Sequence, residues 1–244
     1  LTAMFPGNGA MALQMRISAF HVIFNVTTTC LLLPFVKQLV KFSRFVIKDK
    51  TEKKEEFTLR YVDERLLSMA PVALMQVKKE IEYMMSLVEK NIALSFYAEE
   101  TKSIDDGDEI HKNEDIIDFT NTALTDFLIK LSVDVEQSDE TVIGSYFHVL
   151  NDLERIGDHA ENFFGIVEDM CRKKLSFSAQ AQEKVRKMYD KVTEMFSVSR
   201  EAFETQDKTL LTRLSELEND VDELKRKLTA EHFARLADGQ CSVE

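Results

Sequence analysis

The sequence has 244 residues and a formal net charge of −12, and this charge is unevenly distributed. The first 50 residues carry six Lys or Arg and one Asp, whereas the remainder carries a net charge of −17. An acidic body of this size argues against nucleic-acid binding and favours cations or basic partners. The three cysteines form no CxxC pair, so they predict neither a zinc site nor a disulfide framework.

Residues 17–36 form a run of 20 uncharged residues near the start of the sequence. This length matches the requirement for crossing a hydrocarbon core of about 30 Å. His21 and Asn25 are four positions apart and share one polar face, which is tolerable where a membrane helix packs against other helices. The alternative interpretation of this run is a buried helix of a soluble protein.

A basic cluster follows the uncharged run. Its members are Lys37, Lys41, Arg44, Lys48 and Lys50. Basic residues just past a span indicate the cytoplasmic side of a membrane, so we expect the acidic part to be cytoplasmic. Because the sequence starts at Leu1, with neither an initiator Met nor a signal-peptide n-region, we expect it to be part of a longer protein.

The acidic part predicts five long helices with short connections, which favours antiparallel neighbours in bundles. The predicted helices are residues 71–100, 108–135, 138–172, 178–205 and 207–239. Ser138 and Asp207 are the expected N-caps of the third and fifth helices, and Gly239 is the expected residue after the last C-cap. Apolar stripes mark the second and third helices. They are Ile110, Ile117, Leu124, Leu128 and Leu131, followed by Val149, Leu153, Ile156, Ala160, Phe164 and Val167.

A Glu-x-x-x-Asp motif occurs three times on these helices. The copies are Glu114 with Asp118, Glu154 with Asp158, and Glu218 with Asp222. A single copy is most simply a solvated face. In all three helices, however, the motif borders the apolar stripe on the same side, so antiparallel packing brings the first two copies together. A four-carboxylate cluster needs a cation or raised pKa values, and hard cations take oxygen ligands of this kind.

The residues around Asp158 extend this pattern. Gly157 allows a close approach by another chain segment, and Asn151 and Asn162 continue the polar face by one turn each way. His159 is either a further metal ligand or a surface histidine.

An internal repeat relates the two ends of the acidic part. Glu114 aligns with Glu218, Asp118 with Asp222 and Ser138 with Ser242 in one register. The sequence therefore reads as two similar helical halves, with the last helix of the second half missing. We expect that helix to carry a fourth Glu-x-x-x-Asp motif.

Several segments resemble one family. LERIGDHAEN, at residues 153–162, resembles the signature of the PhoU family. Residues 57–81 are similar to the entry into the PhoU domain of bacterial sodium/phosphate cotransporters, and residues 16–35 resemble the transmembrane helix before it. Residues 232–244 resemble the loop that precedes the final PhoU helix.

The resemblance implies an all-α fold with one transmembrane helix followed by PhoU-like antiparallel helical bundles. Residues 1–47 would be the last transmembrane segment with its flanks, and residues 48–58 a charged linker. Residues 59–244 would form the PhoU-like domain, with a first half at about 59–174 and a truncated second half at about 175–244.

The implied function is that of the C-terminal part of a sodium-dependent phosphate transporter in the cell membrane, with a regulatory domain that is not an enzyme. The implied partners are sodium, phosphate, the remaining transmembrane helices and a second copy in a homodimer, with no nucleic acid. PhoU domains hold metal clusters, so the resemblance assigns a metal role to the six motif residues, with iron or a Mg, Mn or Zn type of cation. They are Glu114, Asp118, Glu154, Asp158, Glu218 and Asp222.

Two alternatives remain open at this stage. The first is a PhoU-type regulator of phosphate signalling without transport activity, which would not require the uncharged run. The second is a soluble metal-storage or metalloenzyme bundle, but such sites usually contain a Glu-x-x-His pair that we do not find.

Overall fold

The computed structural model describes residues 10–35 and 57–239, and every regular element in these two ranges is a helix. This confirms the predicted all-α class. The chain divides into two compact units, Leu1–Glu56 and Phe57–Glu244. The predicted basic cluster and almost all of the predicted linker lie outside the described residues.

The first unit contains helix α1, Ala10–Leu32, and a 3-10 turn, Leu33–Phe35. The stretch Leu13–Phe35 is long and apolar enough to cross a membrane, with a mean hydropathy of 1.5, and none of it is buried. Length and composition alone support this assignment, and a signal sequence near an N-terminus has the same properties. His21 and Asn25 are both exposed on α1.

Within residues 57–239, the second unit contains five α-helices. They are α2 at Ala70–Thr101, α3 at Gly107–Leu131, α4 at Gln137–Lys173, α5 at Ala179–Thr205 and α6 at Leu210–Ala237. All five predicted helices are therefore present within a few residues of their expected bounds. A 3-10 turn, Glu64–Ser68, precedes α2, and another, Ser132–Asp134, replaces the predicted end of α3.

The helix ends only partly follow the predicted caps. Glu136 is the N-cap of α4, so the assignment of Ser138 was wrong, and Ser138 lies in the first turn. Helix α6 begins at Leu210, and Asp207 instead accepts a hydrogen bond of 2.8 Å from the Thr209 N–H. Gly239 does follow the last C-cap, with a φ of +67° that suits glycine.

Helices α2, α3 and α4 pack against one another and form the main core. The predicted stripe of α3 is buried along its whole length. On α4, Leu153, Ala160, Phe164 and Val167 are buried, whereas Val149 and Ile156 are half-buried. The helical periodicity of the sequence therefore identified the residues that hold the first three helices together.

Helices α5 and α6 pack against each other, and α5 also contacts α2. The rings of Phe96 on α2 and Tyr189 on α5 are stacked, with centroids 3.9 Å apart. Arg200 on α5 donates a hydrogen bond of 2.7 Å to Glu89 on α2. No residue of α5 is buried, and Leu217 is the buried residue of α6, so this second group has much less core than the first.

Adjacent residues on α3 give a direct test of the packing. Leu128 is fully buried and Ile129 is 54% exposed. We expect Leu128→Ala to lower the free energy of unfolding of residues 57–244 by about 2–5 kcal/mol, because it leaves a cavity in the core. Ile129→Ala should change it by less than about 0.5 kcal/mol. Urea unfolding followed by circular dichroism measures both, and equal effects would contradict this packing.

Candidate functional site

The first two copies of the carboxylate motif lie beside a close contact between α3 and α4. Gly157 on α4 faces Glu114 on α3, and a β-carbon added to Gly157 would lie 2.8 Å from Glu114 Oε2 and 3.3 Å from Ile117 Cδ1. Any larger residue at this position would therefore push the carboxylate aside. The expected close approach at Gly157 is present, and the group that approaches is the carboxylate of Glu114.

Glu114 is only 5% exposed, and neither of its carboxylate oxygens has a hydrogen-bond partner. Burial raises the pKa of Glu114 to about 8, and repulsion from Asp118, Glu161, Asp158 and Glu154 adds to this shift. A buried carboxylate without partners is costly when charged. It must therefore hold a proton or acquire a compensating positive charge.

The other three residues of the two motifs surround Glu114. Glu154 is half-buried, and Asp118 and Asp158 are exposed. Partial burial raises the pKa of Asp118, with Asp158 as its strongest repelling neighbour. The pKa of Glu154 is raised in the same way by burial and then by Asp158 and Asp118. These mutual repulsions indicate that the four carboxylates lie near one another across the α3–α4 seam.

Two further residues belong to this region and were missed from the sequence. His111 Nδ1 lies 2.6 Å from Glu161 Oε1, which joins α3 to α4 one turn from the motifs. His111 precedes Glu114 by three positions, and Glu161 follows Asp158 by three. This spacing puts them on the same helix faces as the motifs and could have identified them.

Two buried asparagines, Asn91 on α2 and Asn113 on α3, form hydrogen bonds next to Glu114. Asn113 donates a hydrogen bond of 2.9 Å to the Asn91 side-chain oxygen, and Asn91 donates one of 3.1 Å to the Ile110 carbonyl. These bonds link α2 to α3 beside Glu114. The backbone that carries Glu114 is therefore held in position while its carboxylate lacks a partner.

The donor atoms suit a hard cation, because they are carboxylate oxygens with one orphaned pair at the centre. As the side chains stand, no three His, Cys, Asp or Glu within residues 10–35 and 57–239 are placed to hold a metal ion together. The chemistry of the donors thus fits a cation. The side-chain positions in this structure are not those of a closed coordination site.

The third motif has a different environment. Glu218 and Asp222 are both exposed on α6. The carboxylates that bind α6 to α5 are others: Asp220 accepts a hydrogen bond of 2.8 Å from Lys191, and Glu231 pairs with Lys184. The structure therefore brings the first two motifs together and leaves the third on an open face.

Antiparallel helices with carboxylate motifs along their seams define this molecule as a helical-bundle protein with a polyanionic site. The family profile of the PhoU domain matches residues 81–167 and 185–244. The chain belongs to the PhoU domain family. Comparisons with curated proteins and with solved structures give no significant match. PhoU domains are regulatory and usually cytoplasmic, so membership indicates a phosphate-related regulatory role.

The close contact at Gly157 can be tested against a matched glycine of the same helix. Gly144 also lies within α4, but a β-carbon there would meet nothing within 4 Å. Gly144→Ala should stabilise the protein by about 0.5–1 kcal/mol through helix propensity. Gly157→Ala should be less stable than Gly144→Ala, because the Glu114 carboxylate and the Ile117 side chain must both move to admit the new methyl group. Thermal unfolding of both variants decides this, and equal stability would argue against the contact.

Ionisation of Glu114 should make stability depend on pH. Because its pKa is about 8 in the folded protein and near 4.5 when unfolded, the folded state binds the extra proton between these values. In metal-free protein, the contribution of Glu114 to stability should be highest below pH 4.5. This contribution should be lost progressively as the pH rises from 4.5 through 8, by a total of about 5 kcal/mol. Glu114→Gln should flatten this decrease, whereas Glu140→Gln, at an exposed site on α4, should leave it unchanged.

Urea unfolding at pH 5, 7 and 9 in the presence of a chelator measures the effect. A wild-type profile identical to that of Glu114→Gln would show that the Glu114 carboxylate is not desolvated in solution. A pH dependence of stability that the wild type, Glu114→Gln and Glu140→Gln all share arises from other titratable groups.

Proposed function

We propose that this chain is the C-terminal part of a sodium-dependent phosphate transporter, with the PhoU domain as its cytoplasmic, metal-binding regulatory module. The observation that carries the transport proposal is the presence of a helix of membrane-spanning length and composition in the same chain as a PhoU domain. The remaining transmembrane helices, and the sodium and phosphate sites, would lie in parts of the protein outside this sequence.

The second candidate is a PhoU-type regulator of phosphate signalling that has no transport activity. The match to the PhoU domain favours this function equally, because it covers only residues beyond the apolar helix. The two candidates differ in what the apolar helix does. In the transporter it packs in a membrane bundle, with His21 and Asn25 facing other helices or a water-filled path.

The transport proposal is tested by expressing the complete gene in cells that lack phosphate transport and measuring labelled phosphate. We expect phosphate movement that depends on a sodium gradient, in either direction. Replacing sodium with potassium in the medium is the control. Membrane localisation without any sodium-dependent flux would favour the signalling regulator.

The metal proposal rests on the orphaned carboxylate of Glu114 and on the three carboxylates around it. A cation would supply the positive charge that Glu114 lacks and would lower the raised pKa values of Glu114, Asp118 and Glu154. Binding requires the exposed Asp118 and Asp158 side chains to turn toward Glu114. The same metal role for Glu218 and Asp222 would need further ligands, because both side chains are exposed on α6.

Metal analysis of purified residues 57–244 tests the first site. Glu154→Ala combined with Asp158→Ala should reduce the bound metal by one site, because two of four carboxylates are lost. The double change Asp139→Ala and Glu140→Ala removes the same charge from the first turn of α4 and should leave the metal content unchanged. Equal metal content in both double variants would contradict the assignment of Glu154 and Asp158.

A further inference from the structure

The outward side of α2 differs in charge from the rest of the domain. At about 100° per residue, five residues of α2 fall within an arc of about 80°, opposite the centre of its buried stripe. They are Met75, Lys79, Tyr83, Lys90 and Tyr97. Met75 is 59% exposed and Tyr97 is 53% exposed. We call these five residues the outer face of α2, and they extend over about 33 Å at the rise of an α-helix.

None of the five glutamates of α2 falls within this arc. Glu80 and Glu99 are buried. The other three lie beside the arc and are each paired with a basic side chain: Glu82 with Lys78, Glu89 with Arg200, and Glu100 with Arg186. A carboxylate from α3, Glu109, pairs with Lys90. In a chain with a net charge of −12, this stripe of α2 is a local basic surface.

The segment before α2 adds two guanidinium groups beside the outer face. Arg60 Cζ lies 3.6 Å from the centroid of the Tyr83 ring. A guanidinium over an aromatic ring keeps its in-plane N–H donors available for a phosphate group. The side chain of Arg65 is 88% exposed and pairs with Asp63. Together with Gln76, the two arginines line a cavity of about 550 Å³.

This segment is attached to the domain by buried contacts. The backbone N–H of Tyr61 donates a hydrogen bond of 2.8 Å to Glu80, which is only 1% exposed. The next residue, Val62, is buried in the main core. Arg60 and Arg65 are therefore held beside α2, and the exposed ring of Tyr61 lies between them in the sequence.

We propose that the outer face of α2, together with Arg60, Tyr61 and Arg65, binds the phosphate headgroups of an anionic lipid surface. Arg and Lys bind phosphate, and exposed Tyr and Met side chains suit the boundary between headgroups and acyl chains. Residues 36–56 join α1 to this segment and contain seven basic and four acidic residues, which add to the attraction. The inference rests on the membrane assignment of α1 in the proposed function, but not on transport activity.

Charge complementarity favours this side of the domain over the side formed by α4. Helix α4 contains eight acidic and three basic residues, and its carboxylate motif lies at the seam with α3. An anionic leaflet repels these carboxylates and attracts the basic residues of the outer face. The domain should therefore lie with α2 toward the lipid and with the exposed side of α4 away from it.

The test uses the full 244-residue chain in lipid nanodiscs, with one fluorophore that nitroxide-labelled headgroups quench at short range. Cys30, Cys171 and Cys241 are replaced by Ser. The label is attached through Ala93→Cys, within the arc of the outer face, or through His148→Cys, at an exposed site on α4. In discs that contain phosphatidylglycerol, quenching at position 93 should be at least about twofold stronger than at position 148. In discs of phosphatidylcholine alone, the two positions should be quenched equally.

Removing basic residues tests the charge of the outer face. Arg60→Gln combined with Lys79→Gln should reduce the quenching at position 93 to its level in phosphatidylcholine, and added salt should do the same to the wild type. Arg155→Gln combined with Arg172→Gln removes the same charge from exposed sites on α4 and should leave the quenching unchanged. Far-UV circular dichroism of each variant confirms that the helices are retained.

Retention of the chain in the disc is measured first, because it tests the membrane assignment of α1 separately. A chain that is not retained contradicts both that assignment and this inference. With the chain retained, equal quenching at positions 93 and 148 contradicts only the lipid-binding face, as does wild-type quenching in the variant with Arg60→Gln and Lys79→Gln. Loss of quenching on addition of inorganic phosphate, at an ionic strength where chloride has no effect, would overturn the proposal in favour of a soluble anion.

Discussion

The carboxylate of Glu114, enclosed between α3 and α4, is the constraint around which the first half of the domain is arranged. Gly157 is small enough to let it lie there, and the Asn91–Asn113 pair holds its helix against α2. The packing of α3 against α4 buries both carboxylate oxygens and leaves them without hydrogen-bond partners. Burial and charge repulsion therefore both disfavour the ionised form of Glu114, and together they raise its pKa.

Within residues 57–239, the two halves of the domain differ in how many helices pack together. In the first half, three helices enclose a continuous core, and the carboxylate motifs are drawn into the seam between two of them. In the second half, two helices pair through ionic contacts such as Lys191–Asp220, and their apolar sides stay open. The same motif is consequently desolvated at Glu114 and solvated at Glu218, because burial depends on a third helix and not on the motif itself.

The family and the apolar helix support different parts of the functional picture. The PhoU domain indicates a phosphate-related regulatory role, and the apolar helix is compatible with a place in a membrane. A regulatory domain of this kind needs a surface that a partner can recognise and a state that can change. The buried carboxylate of Glu114 is a group whose state changes with pH, because its pKa is raised to about 8.

Helical periodicity in the sequence by itself determined the all-α class, the five helices of the second unit and the apolar stripes, because each is a local property with a period of 3.6 residues. It also identified the motif pairs and the close approach at Gly157. Only the tertiary structure decided that Glu114 is buried while Asp118 and Asp158 are exposed, that His111 meets Glu161, and that Arg200 on α5 meets Glu89 on α2. These features depend on how far one helix is rotated and displaced against another, which no single helix specifies.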